Sequence, residues 1–263
     1  MIPLEFLDSD KLLTAAAAFI RVGGILFILP FFGDTTIPMR VKTLLAVAMS
    51  MAVVPVLSEN WGDNIVYEPF SLGLILLKEL FIGITIGFTA KIAFEGMLLA
   101  SGMVAFQMGF GTSNLIAPGS DTSMDSFSAL HRVIVLLLFL SLNLHHIFLN
   151  ALVTSFELIP AAAIKINPSL GEHLIDATAL IFSIAVQLAA PVVVALLFAT
   201  AALGLIARTV PQMNVFAMSF PVNFFIGIII YIASTPFFPA WMRDKHIEVS
   251  QEIFRSIQGM LPI

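Results

Sequence analysis

The chain contains no cysteine, which excludes a disulfide framework, a thiolate metal site and a thiol nucleophile. Charge is nearly as scarce: 11% of the 263 residues are Asp, Glu, Lys or Arg, against roughly 25% in soluble domains. No cluster of Lys and Arg exists that would hold a nucleic-acid backbone, and the first residues carry no cleavable signal pattern. No H-E-x-x-H or G-x-S-x-G string occurs, and Ser, His and Asp fall in no catalytic spacing. The expectation is a protein that is not an enzyme and needs no cofactor or metal. What the chain has instead is apolar residue, 59% of it, with a mean hydropathy of +1.02. That composition predicts an integral membrane protein.

The apolar runs are continuous and do not alternate with period two, so an all-α polytopic fold is expected rather than a barrel. Leu12–Phe32 holds one charge, Arg21, and is long enough for a span of about 20 residues. Thr43–Ser58 is charge-free between Arg40 and Lys42 on one side and Glu59 and Asp63 on the other. The 33–42 connection is basic and 58–69 acidic, which places the first on the cytoplasmic side and the N-terminus outside. Phe70–Gln107 predicts one very long helix that contains Lys78, Glu79, Lys91 and Glu95. Ionised groups facing lipid cost roughly 2.5 to 3.5 kcal/mol each at mid-bilayer, so these four must meet protein or water. Lys91 and Glu95 stand four apart, and Gly83 and Gly87 offer a small-residue surface for a second helix. Packing and a pore-lining role both remain open for this group.

The stretch 103–124, MVAFQMGFGTSNLIAPGSDTSM, combines five helix-breaking residues, Gly109, Gly111, Asn114, Pro118 and Gly119, with no charge from Gly96 to Ser120. Irregular backbone at membrane depth is tolerated where protein buries it or where it lines a water-filled cavity. This segment is therefore expected inside a passage. Asp125–Phe156 reads as a single helix, with His145 and His146 near its end. Neighbouring histidines point about 100° apart on a helix and cannot share one metal, so a hydrogen-bonded interhelical histidine is expected. Residues 159–171, with Pro160 and Pro168, read as a connection, and Glu172 and Asp176 open the next helix.

The last two apolar runs, Ala177–Ala207 and Thr209–Met242, form an antiparallel hairpin whose tip holds Arg208. The first would be about 46 Å long as one helix, against a hydrocarbon core of about 30 Å. Bending at Pro191 and Pro221, tilt, or emergence from the bilayer is implied. From Trp241 an amphipathic tail follows, with Ile247, Phe254 and Ile257 on a face opposed by Arg243, Lys245, Glu248 and Glu252. The whole is expected to be one membrane unit: helices over 1–158 that include a loop at 106–121, then the hairpin and tail over 172–263.

The string ARTVPQMNVFAMSFPV, Ala207–Val222, resembles the Pro-Gln and Phe-Pro signature of the FliR family of the flagellar type III export gate. Arg21–Pro55 is similar to the N-terminal half of that family, Phe106–Ser120 resembles its plug loop, and Asn143 with His145 matches the polar pair that follows. At Ala117 the chain departs from an acidic residue that the pattern places before the loop proline. The resemblance implies a FliP-like N-terminal part and a FliQ-like hairpin. It also implies FliP-like, FliQ-like, FlhB-like and FlhA-like partners at the bacterial inner membrane, with unfolded flagellar subunits as cargo. The pore plug would be Phe106, Met108, Phe110, Asn114, Leu115, Ile116, Ala117, Pro118 and Gly119. Packing or partner contacts would fall to Lys78, Glu79, Gly83, Gly87, Arg208, Pro211, Gln212, Phe220 and Pro221. A static re-entrant loop is the bland reading of the same segment. A secondary transporter, binding solute at Arg21, Lys78 and Glu79, is the alternative function, although no second broken helix matches the first.

Overall fold

The apolar runs become helices because a chain in hydrocarbon must satisfy its backbone polar groups internally. The structure, a computed structural model, describes residues 9–29, 37–57, 68–110, 126–161, 163–210, 212 and 214–261. Eight α-helices run through the described residues: α1 (Ser9–Ile28), α2 (Met39–Val53), α3 (Pro69–Met108), α4 (Ser126–Ser141), α5 (His145–Leu158), α6 (Pro168–Thr209), α7 (Val215–Ser234) and α8 (Phe238–Gln258). Single 3-10 turns, each with a proline, follow α2 at Val54–Val56 and α7 at Thr235–Phe237. Proline supplies no amide hydrogen and ends the regular ladder there. Among the described residues three helical stretches are long and apolar enough to cross a membrane, Pro69–Met108, Pro168–Thr209 and Met218–Gln258. A fourth crossing results if α4 and α5 count as one broken span.

The structure corrects three sequence expectations. The run 125–156, expected as one helix, holds two, with a break between Ser141 and His145. Asn143 sits in the break with φ of 56°, a left-handed conformation that Asn tolerates better than other side chains with a Cβ. An Asn inside an apolar run was the available signal. Helix α6 begins at Pro168, four residues before Glu172, since proline suits the first helical position. It continues through Pro191 to Thr209, and α7 likewise continues through Pro221. The third correction concerns the tail. Val249, Ile253, Ser256, Ile257 and Met260 are buried at helical spacing, while Ile247 and Phe254 are exposed and Glu252 is mostly covered.

Contacts divide the chain into two compact units. The first comprises residues 1–92, 143–178 and 247–263. Its core is built from Ala18, Val22 and Ile25 of α1, Ile82 and Ile86 of α3, Phe156 of α5, and Ile253 and Ile257 of α8. Backbone bonds from Lys165 N to Met260 O and from Asn167 N to Gly259 O join the connection before α6 to the end of α8. A hydroxyl pair, Thr89 with Ser256 at 3.2 Å, ties α3 to the same helix. The second unit comprises residues 93–142 and 179–246. It is centred on Val104 and Met108 of α3, Phe127 and Val135 of α4, Ile184 and Val192 of α6, and Tyr231 of α7.

Helices α1 and α3 cross where neither has a side chain. A Cβ placed on Gly83 would stand 2.5 Å from the Arg21 carbonyl and 3.0 Å from the Gly24 Cα, and one on Gly87 would stand 3.1 Å from the Ile25 carbonyl. These are backbone neighbours and cannot swing aside, so only glycine permits the approach. Gly83→Val is expected to remove most of the protein from membranes. Gly73→Val, whose added atom meets nothing within 4 Å, should leave the amount unchanged. Immunoblots of membrane fractions decide this, and equal amounts of the two variants would contradict it.

Candidate functional site

In the first unit the intramembrane charges separate. Lys78 is exposed, whereas its neighbour Glu79 is wholly buried. Adjacent helical positions differ by about 100°, so one faces outward and the other inward. Arg21 Nε donates to Glu79 Oε2 at 2.6 Å, and both side chains are 0% exposed. The rest of the guanidinium closes the end of α5. Nη1 donates to the Ser155 carbonyl at 2.7 Å and to that of Ile159 at 3.0 Å, Nη2 donates to Ile159 at 3.0 Å, and the carbon lies 4.6 Å from the Phe156 ring centroid. The last carbonyls of a helix carry negative partial charge and have lone pairs to spare, that of Ser155 accepting also from Ile159 N at 3.1 Å. A planar fork of donors suits them and a carboxylate at once. Arg21 and Glu79 are thus spent on each other and on α5, and neither is open to a solute.

The second unit holds the described start of the proposed plug. Helix α3 ends in a Schellman turn: Phe110 N donates to the Ala105 carbonyl at 3.1 Å, and Gly109 N donates to that of Phe106 at 3.0 Å. Gly109 has φ of 96°, which glycine alone adopts without strain. The turn separates three large side chains. Phe106 is 74% exposed, Met108 is fully buried, and Phe110 lies between them in exposure. Asn114, Leu115, Ile116, Ala117, Pro118 and Gly119 lie outside the described residues.

Phe110 belongs to an aromatic group. It stacks on Phe127 at 6.4 Å between ring centroids and meets Phe220 and Phe224 edge-on at 6.4 and 5.8 Å. Phe127 in turn meets Tyr231 at 4.9 Å, and the Tyr231 hydroxyl lies 2.7 Å from His131 Nδ1. The interhelical histidine bond is made by His131 of α4, not by the pair to which the sequence reading assigned it. His145 Nδ1 finds no hydrogen-bond partner among the described residues, and its ring lies against His146 at 4.5 Å between centroids. Phe127, His131, Phe224 and Gly227 were not singled out by sequence, although their spacing along α4 and α7 places each set on one helix face. Arg208, Gln212 and Pro221 are exposed, Phe220 is 45% exposed, and Pro211 lies outside the described residues. No group of three His, Asp or Glu side chains among the described residues is placed to hold a metal ion.

The profile of the family described as bacterial export proteins, family 1, matches residues 12–248. The flagellar biosynthetic protein FliR of Escherichia coli K12 is 32% identical over 230 residues, 88% of this chain and 87% of that protein. The protein of the same name from Aquifex aeolicus is 29% identical over 90% of this chain and 91% of its own length. That of Caulobacter vibrioides is 26% identical over 93% and 97%. The matched region takes in α2 to α7 whole, with both the Arg21–Glu79 clamp and the turn at Gly109. The chain belongs to family 1 of the bacterial export proteins, the family of these FliR proteins.

Proposed function

We propose that this chain, a membrane subunit of the flagellar protein-export apparatus, forms part of the export channel wall and closes the channel at rest with the segment from Phe106 to Asp121. The observation that carries the reading is the Phe110–Phe127 contact. It brings together the two flanks of the charge-free Gly- and Pro-rich segment, so that segment leaves and returns at one place. The connection between α3, which ends at Met108, and α4, which starts at Ser126, is far longer than the roughly 2 to 8 residues that join neighbouring helices, and that spare length lets it enter a passage as a plug. Phe106, Leu115 and Ile116 seal the passage by excluding water, and the glycines let the loop move aside for cargo. Partner subunits of FliP-like, FliQ-like, FlhB-like and FlhA-like kind complete the channel, and unfolded flagellar subunits pass through it. Helix length supports partners: α3 and α6, at 40 and 42 residues, are each about 60 Å long, twice the hydrocarbon core. Exposed apolar side chains run from Phe70 to Phe106 on α3 and from Ile175 to Ile206 on α6, about 54 and 46 Å along the helix at 1.5 Å per residue, further than the hydrocarbon of a bilayer reaches.

The absence of cysteine allows a direct test. Phe106→Cys, in the assembled complex, is expected to react with a water-soluble maleimide and to be shielded when a folded domain fused to a flagellar subunit stalls export. Equal labelling with and without stalled cargo would remove residue 106 from the channel.

A further inference from the structure

One face of α7 grips both flanks of that segment. Phe220, Phe224, Gly227 and Tyr231 follow at spacings of four, three and four, which align on one side of a helix. Phe220 and Phe224 hold the Phe110 ring, and Tyr231 holds Phe127. Between them is a notch. A Cβ on Gly227 would lie 2.5 Å from Met108 Cε, 2.8 Å from its Cγ and 3.3 Å from its sulfur. The Met108 side chain therefore occupies the space that any other residue at 227 would claim, and it is 0% exposed there. Next to it, the Phe220 ring reaches within 2.9 Å of where a Gly109 Cβ would stand. The last turn of α3 is keyed into α7 by one side chain that is present and one that is missing.

We infer that Gly227 is a positioning residue for channel closure: its missing side chain seats Met108 and so fixes the end of α3 that presents Phe106 and Phe110. The inference rests on the closing role proposed above. Met108 is an anchor, and the seal belongs to its neighbours. Packed interfaces switch between discrete arrangements rather than deforming continuously, so Met108 is either in the notch or out of it. Control of closure thereby falls to α7, which is remote in sequence from the loop.

The test compares Gly227→Val, Gly204→Val, Met108→Ala with Gly227→Val, and deletion of Asn114–Gly119, each in the full complex. Complex recovery and ion conductance in planar bilayers are read together. Gly227→Val is expected to assemble and to raise the conductance roughly tenfold, the population shift that an overpacked core site produces. Met108→Ala in the same chain frees the volume that valine needs and should return the conductance toward that of the native complex. Gly204→Val, at a position where an added Cβ meets nothing within 4 Å, should stay tight. A tight Gly227→Val complex beside a leaking deletion overturns this inference and leaves the plug standing. If both are tight, the plug reading falls and this inference with it. If Gly227→Val alone does not assemble, the paired variant decides: a tight, assembled pair supports the seat, and a pair that also fails shows that Gly227 serves the fold only.

Discussion

Deletion of Asn114–Gly119 should leave the protein in its complex and turn that complex into an ion leak. Assembly is expected to survive because the described helices and the Phe110–Phe127 contact lie outside the deleted residues. The shortened chain still bridges the 6.4 Å between the Phe110 and Phe127 rings, since each extended residue spans about 3.3 to 3.6 Å. Closure is lost because a hydrophobic constriction bars ions only while it is narrow enough to stay dry. Removing Leu115 and Ile116 takes away apolar bulk, and the nearby charge-free flanks cannot replace it. Conductance should rise at least about tenfold, the change that accompanies each 1.4 kcal/mol of lost barrier. Single-channel recording on the purified complex measures this. A tight deletion complex would favour the static re-entrant loop, and failure to recover any complex would make the segment part of the assembly.

Breaking the buried ion pair should cost the protein its fold. In Glu79→Ala the guanidinium of Arg21 stays buried without that carboxylate, and in Arg21→Ala the Glu79 carboxylate and the carbonyls of Ser155 and Ile159 lose the guanidinium together. Removing one member of a buried pair costs about 3 to 5 kcal/mol, a large share of a total stability of about 5 to 15 kcal/mol. Arg21→Lys should also fail, because one ammonium cannot serve a carboxylate and two carbonyls in the planar arrangement that Arg21 uses. The double variant Arg21→Leu with Glu79→Leu should recover part of the loss. It leaves neither charge without the other but still takes the guanidinium bonds from the carbonyls of Ser155 and Ile159, at about 1.5 to 3 kcal/mol for a hydrogen bond to a charged group. Thermal unfolding in detergent ranks the four. A Glu79→Ala protein as stable as the native one would show that water reaches the pair.

These two experiments probe opposite kinds of polar economy. Arg21 is the single charge of the first apolar run, and in hydrocarbon a charge needs a partner; the structure supplies one in the same unit, from a position 58 residues away. The segment after Met108 has no charge through Ser120, so the closing role proposed for it rests on shape and dryness. Salt or pH should therefore affect the leak less than changes of side-chain volume at Met108 and Gly227.

Composition alone determined that the chain is helical and lives in a membrane, because transfer cost and backbone satisfaction in hydrocarbon depend on residue type and run length. The excess length of α3 and α6, the glycine and proline punctuation near residue 110, and the family strings around Phe106 and Arg208 were legible for the same local reason. Tertiary structure decided which of two adjacent charges, Lys78 or Glu79, turns inward, and that Arg21 receives it. It also decided that the run after Asp125 breaks at Asn143, that α8 buries Val249 and Ile253 rather than Ile247 and Phe254, and that His131 rather than His145 makes the interhelical bond. Helical periodicity states which residues share a face but not which face another helix will cover. That choice depends on where backbones can approach, at Gly24 against Gly83 and at Gly227 against Met108, and such close approaches are properties of pairs distant in sequence.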